Sequence, residues 1–126
     1  MRDLEFRAWE KVEKKMLFDA DPFALHVSGS NEPLLAKTHR NEDCIFEQYT
    51  GLKDKNGQKI YEGDIVSERH GDIIGKIVQN PSGEYRIAWL GIYGSDSSLY
   101  DHRSLCEVIG NIHETPGLLV EVNDVD

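Results

Sequence analysis

Cysteine is scarce in this 126-residue chain, proline is scarcer than glycine, and long apolar runs are missing. Cys44 and Cys106 lie far apart, and neither belongs to a CxxC pair near a histidine. That spacing argues against a zinc site or a thioredoxin-type motif and leaves two reduced, partly buried thiols. No stretch approaches the roughly 18 apolar residues of a membrane span, and MRDLEFRAWE lacks the apolar centre of a signal peptide, so a cytoplasmic protein without membrane contact is expected. Positive charge is also short: 14 Lys and Arg face 23 Asp and Glu, a net charge of -9. Such a balance opposes general binding to a phosphate backbone, which depends on clustered Lys and Arg. Glu114, Glu121, Asp124 and Asp126 supply 4 of those 9 charges, and no Lys or Arg follows Glu114.

Amphipathic helical patterns of about 12 residues are absent too, which disfavours regular βαβ folds. What is present is strand and turn material, in a chain long enough for one domain with a modest core. Leu4 to Ala8 alternates apolar and charged side chains, Lys11 to Lys15 is a polar turn, and Met16-Leu17-Phe18 returns apolar. This pattern predicts an N-terminal hairpin, with Trp9 on the face opposite Phe6 and Ala8. Residues 19 to 43 hold Pro22, Gly29 and Pro33 and read as a long irregular insertion. Strands are expected from Cys44 to Tyr49, from Ile65, from Ile73 to Val78, from Tyr85 to Trp89 and from Cys106 to Ile112.

The separators between these strands are strong turn signals. Asn56-Gly57 is the pair favoured in a type I′ turn, where both central residues need positive φ. Gly75, inside a strand, predicts a bulge or sharp bend. Residues 91 to 98 read as a flexible loop, and Leu99 to His102 as a short edge strand. The expected architecture is therefore mainly β: a small, strongly bent antiparallel sheet or SH3-like barrel, forming a single domain over 1–126, with residues 114–126 a partly extended acidic tail.

At this point three blocks carry a resemblance. FRAWEKVEKKM, QYTGLKDKNGQKIYEGDIV and EVIGNIHETPGLL, at both ends and the centre of the chain, are similar to the YopX-type proteins of bacteriophages and prophages. The resemblance implies a small, mostly β protein of phage or prophage origin, oligomeric or without assigned role, and brings no catalytic or binding residues with it.

The residues themselves point away from catalysis. His26, His39, His70, His102 and His113 are scattered, so no metal site is expected; if any converge, His102 with Asp101, Asp72 or His70 is the place. There is no GxSxG elbow, and DKNG leads into a strand rather than the helix that a phosphate-cradling loop requires. No catalytic residue, cofactor or metal ligand is expected. The reading that remains is a non-enzymatic, oligomeric or protein-interaction module. Self-association, or contact with a host or phage protein, would run through amphipathic rings, among which Tyr49 and Tyr100 also count, with Trp9, Tyr61, Trp89 and Tyr93 the candidate partner-binding residues. The alternative is a nucleic-acid-binding β-barrel, with Lys11, Lys14, Lys15, Lys53, Lys55 and Lys59 as a basic rim near Trp9 and Tyr61, disfavoured by the net charge.

Overall fold

A computed structural model describes residues 4–20, 43–69, 71–91 and 96–119. The fold is mainly β, as the strand and turn pattern predicts, and the chain forms two compact units, Met1–Tyr49 and Thr50–Asp126.

The first unit contains the expected hairpin. Strand β1 (Phe6–Glu10) pairs antiparallel with β2 (Lys15–Ala20) on one side and with the first half of β3 (Cys44–Lys53) on the other. Alternation puts Ala8, fully buried, on one face and Trp9, opposite Met16 and Ile45, on the other. A register shift between Phe6 and Arg7 interrupts the pairing with β2. Directly across from Arg7 stands Glu47, and the guanidinium Nε donates to its Oε1 at 2.9 Å with both side chains almost wholly enclosed. A buried pair of this kind is costly to break from one side, because the survivor is a stranded charge.

The second unit carries the rest of β3, then β4 (Lys59–Tyr61), β5 (Asp64–Glu68), β6 (Ile73–Gln79), β7 (Tyr85–Trp89), β8 (Asp96–Ser98), a short helix α1 (Leu99–His102), β9 (Glu107–Asn111) and a 3₁₀ turn (Pro116–Leu119). Five of these strands form an antiparallel sheet in the order β8-β7-β6-β5-β9. Its core is Ile60, Val66, Ile77, Ile87, Leu99 and Cys106, with Leu52, Tyr85, Trp89 and Val108 packed around it.

Several local expectations are corrected. The Asn56-Gly57 turn is not type I′: among the described non-glycine residues only Lys14 and Arg69 have positive φ, so Asn56 does not. Instead Gly57 N–H donates to Asp54 O and Asp54 N–H to Gln58 O, a three-residue loop whose last member, Gly57 at φ 84, takes the left-handed position. That is the other common hairpin solution, a type I turn followed by a glycine bulge. Asn80-Pro81-Ser82-Gly83 repeats it, with Gly83 N–H donating to Asn80 O and Asn80 N–H to Glu84 O. Gly75 makes no bulge in its pairings with β5 and β7; it leaves room for close packing, since a Cβ there would meet Ile87 Cγ2 at 2.7 Å and Ala88 O at 2.9 Å. The register shift in β5 lies instead between Ile65 and Val66, opposite β9. Leu99 to His102 is helical rather than an edge strand, because Ser98 Oγ accepts from Asp101 N–H and starts a turn that buries Leu99. The edge strand is β8, inside the stretch read as loop. The insertion at 19–43 lies almost entirely outside the described residues.

Candidate functional site

The charged centre of TGLKDKNGQKIYEGDIV is where a bound ion would have been expected if the stretch had chemistry of its own. Asp54, only 6% exposed, spends its carboxylate on backbone amides. Its Oδ1 accepts from Asn56 N–H at 2.8 Å and Gln58 N–H at 2.9 Å, and its Oδ2 accepts from Val108 N–H at 2.9 Å, across to β9. Lys55 N–H donates to Cys106 O beside it. The same turn chemistry recurs at Asn80, whose Oδ1 accepts from Ser82 and Glu84 N–H. Asparagine suffices there; at position 54 the second oxygen is what fastens the outer strand β9. Asp64, buried, accepts from Tyr61 N–H at 2.7 Å and closes the turn into β5. These carboxylates act as backbone acceptors, the Asx role that Asp and Asn commonly fill in turns.

Functional groups gather elsewhere in the second unit, around α1. His102 Nδ1 lies 2.7 Å from Glu68 Oε2 at the end of β5. A carboxylate only accepts, so Nδ1 carries the proton and donates. The imidazole meets Trp89 edge to face at 5.8 Å between ring centroids, and Trp89 Nε1–H donates to Ser97 Oγ. Beside them Cys106, fully buried, has its Sγ 3.9 Å from Arg103 O. Burial, and then the negative fields of Glu68 and Asp54, push its thiol up to about 12. A thiol so placed stays neutral at physiological pH, and the thiolate is the nucleophilic form. Glu68 and His102 tie α1 to the end of β5, and Cys106 joins Leu99 in the core.

On the outer side of α1, Tyr100 is 59% exposed and Leu105 56%. The Arg103 guanidinium lies over the Tyr100 ring, 3.9 Å from its centroid, and also donates to Tyr100 O. Among the described residues Arg103 has no carboxylate within ion-pair reach, unlike Arg86, which holds Glu84 and Asp96.

The ring residues expected to bind partners fall in both units. Trp9 is half-buried in the first unit; Tyr61 is buried and Trp89 half-buried in the second; Tyr93 lies outside the described residues. Of the histidines, His26, His39 and His70, and with His70 its expected pairing to His102, also lie outside them, while His102 is held by Glu68. Among the described residues no three His, Cys, Asp or Glu side chains are grouped to hold a metal. Sequence reasoning counted Tyr100 among the interface rings but missed Arg103 and Leu105 beside it. The signal was the exposed spacing Tyr-x-x-Arg-x-Leu, legible only once Leu99 is known to start a helical turn.

The family description "YopX protein" matches residues 5–120 of the chain. No curated protein matches it. The crystal structure of protein EF1440 from Enterococcus faecalis is similar, with 28% identity over 94% of this chain and 99% of that one and a TM-score of 0.62. Both the length of the family match and the mainly β architecture lead to one statement: the chain belongs to the YopX family.

Proposed function

We propose that the protein works by contact, as a non-enzymatic module of a phage or prophage that associates with itself in the host cytoplasm. The observation that carries this reading is the exposed group of Tyr100, Leu105 and a stacked Arg103 on α1 and the turn after it. Tyr and Arg are the residue types enriched where binding energy concentrates, and an exposed ring and aliphatic side chain bury well against a partner. The YopX family is not an established enzyme family, and the buried carboxylates and thiol described above are engaged in holding the fold.

Three members of the basic rim and its aromatic neighbours, Tyr61, Lys15 and Lys55, speak against the nucleic-acid alternative. Tyr61 is 4% exposed, which leaves no ring face for a base to stack on. Lys15 lies 3.0 Å from Glu13, and Lys55 stands 3.9 Å from Glu107. Sedimentation velocity over a hundredfold range of concentration tests the proposal. A sedimentation coefficient rising with concentration is expected, and a monomer throughout would overturn self-association.

A further inference from the structure

Arg103 is the last cation in the sequence: the residues after it include Glu107, Glu114, Glu121, Asp124 and Asp126, and no Lys or Arg. Its guanidinium is fixed from two sides by Tyr100, the ring beneath it and the carbonyl of the same residue. Tyr100 sits on α1, which is itself anchored by fully buried Leu99 and by the His102–Glu68 bond. A guanidinium has five N–H donors, and only one group of them is used here. A planar fork held in place and lacking an ion-pair partner among the described residues is ready for a carboxylate, with little side-chain entropy left to lose on binding. Tyr100 and Leu105, both more than half exposed, add apolar surface to the group.

The occupant this surface fits is a segment that intersperses carboxylates with aliphatic side chains. The chain contains one. Val120-Glu121-Val122-Asn123-Asp124-Val125-Asp126 intersperses three valines with three carboxylates and has no cation of its own. We infer that the Tyr100–Arg103–Leu105 surface is the docking site for residues 120–126 of a second copy of this chain. Arg103 takes a carboxylate of Glu121 or Asp124, and the valines lie against Tyr100 and Leu105. Reciprocal exchange of two such segments gives a closed, two-fold pair in which the same surface is used twice. The inference rests on the self-association proposed above and names its contact.

The test is a charge swap in the full chain, read by sedimentation velocity or light scattering. Arg103→Glu is expected to weaken association about tenfold or more, since it removes a charged hydrogen bond and opposes like charges. Reversal of the tail charges (Glu121→Lys, Asp124→Lys, Asp126→Lys) should also weaken it, although that variant has less net charge and, by general repulsion alone, would associate more strongly. Both changes together should restore association. Self-association that Arg103→Glu leaves unchanged overturns the docking site while the interaction reading stands. A wild-type chain that stays monomeric overturns both.

Discussion

Replacing Asp54 by Asn exchanges one oxygen for an NH2 group, and the structure assigns the two oxygens of Asp54 different tasks. Oδ1 serves the turn, accepting from Asn56 and Gln58; Oδ2 alone reaches Val108 on β9. The variant keeps an acceptor for the turn, as Asn80 does for Ser82 and Glu84, but turns a donor toward the Val108 N–H. Loss of a hydrogen bond to a charged group, with two donors left facing each other, costs about 2–3 kcal/mol. Asp54→Ala also removes the two turn bonds. Asn56 and Gln58 are exposed and their amides can turn to water, so this adds only about 1 kcal/mol. Against a total stability on the order of 5–15 kcal/mol, either loss is large.

Urea unfolding measures both variants, and amide hydrogen exchange followed by NMR isolates the contact. Protection at Val108 should fall in Asp54→Asn while the Gln58 amide keeps most of its protection. In Asp54→Ala both should fall. The reasoning fails if Asp54→Asn lies within about 0.5 kcal/mol of wild type, well below the cost expected for a stranded buried donor. It also fails if Val108 exchange is unchanged, since the second oxygen would then not be holding β9.

Other consequences can be checked on the same material. In the native protein at pH 8 a thiol reagent should label Cys44, which is partly exposed, and spare Cys106, whose thiol burial pushes up to about 12; both should react once the chain is unfolded. The same shift sets a pH dependence. Below the unfolded value of 9.0 the Cys106 thiol is protonated in both states and contributes nothing; above it only the unfolded chain gives up the proton, so stability falls as pH rises. Between pH 8 and 10 wild type should lose about 1.3 kcal/mol more than Cys106→Ala, and equal losses would refute the burial argument. Gly75→Ala should cost about 1–3 kcal/mol, because its Cβ would press on Ile87 and on the Ala88 carbonyl. Gly57→Ala has open space around it and a left-handed φ of 84, so about 1 kcal/mol is expected from backbone strain alone. A smaller loss for Gly75→Ala than for Gly57→Ala would show that β6 and β7 can separate to admit a side chain.

Much of the strand pattern was legible because period-two alternation and turn residues are local properties. Phe6 to Ala8, Ile73 to Val78 and Tyr85 to Trp89 carry their own signature, and the structure places strands there. The misreadings share a cause. Asn56-Gly57 is compatible with two hairpin geometries, and the choice is made by Asp54, whose side chain can hold the amides of Asn56 and Gln58 only when the loop has three residues. Leu99 to His102 has no strong helical propensity; it is helical because Ser98 accepts from the Asp101 amide and because Leu99 then fills the core beside Ile87. Both decisions come from contacts that no window of a few residues contains.

The site was less legible than the fold for a related reason. Glu68 and His102 are 34 positions apart, and nothing in either neighbourhood announces the other. Exposed rings were sought among the strand aromatics, but a strand residue has one face toward the core, and Tyr61 and Trp89 are drawn inward by it. A residue on a single helical turn packed by its first member has no such constraint. Leu99 satisfies the core, which frees Tyr100 and Arg103 to be presented outward with their backbone held still. The same physical fact that hid the surface from sequence reading, a turn too short to show a period, is what leaves Tyr100 outside the core while Leu99 fills it.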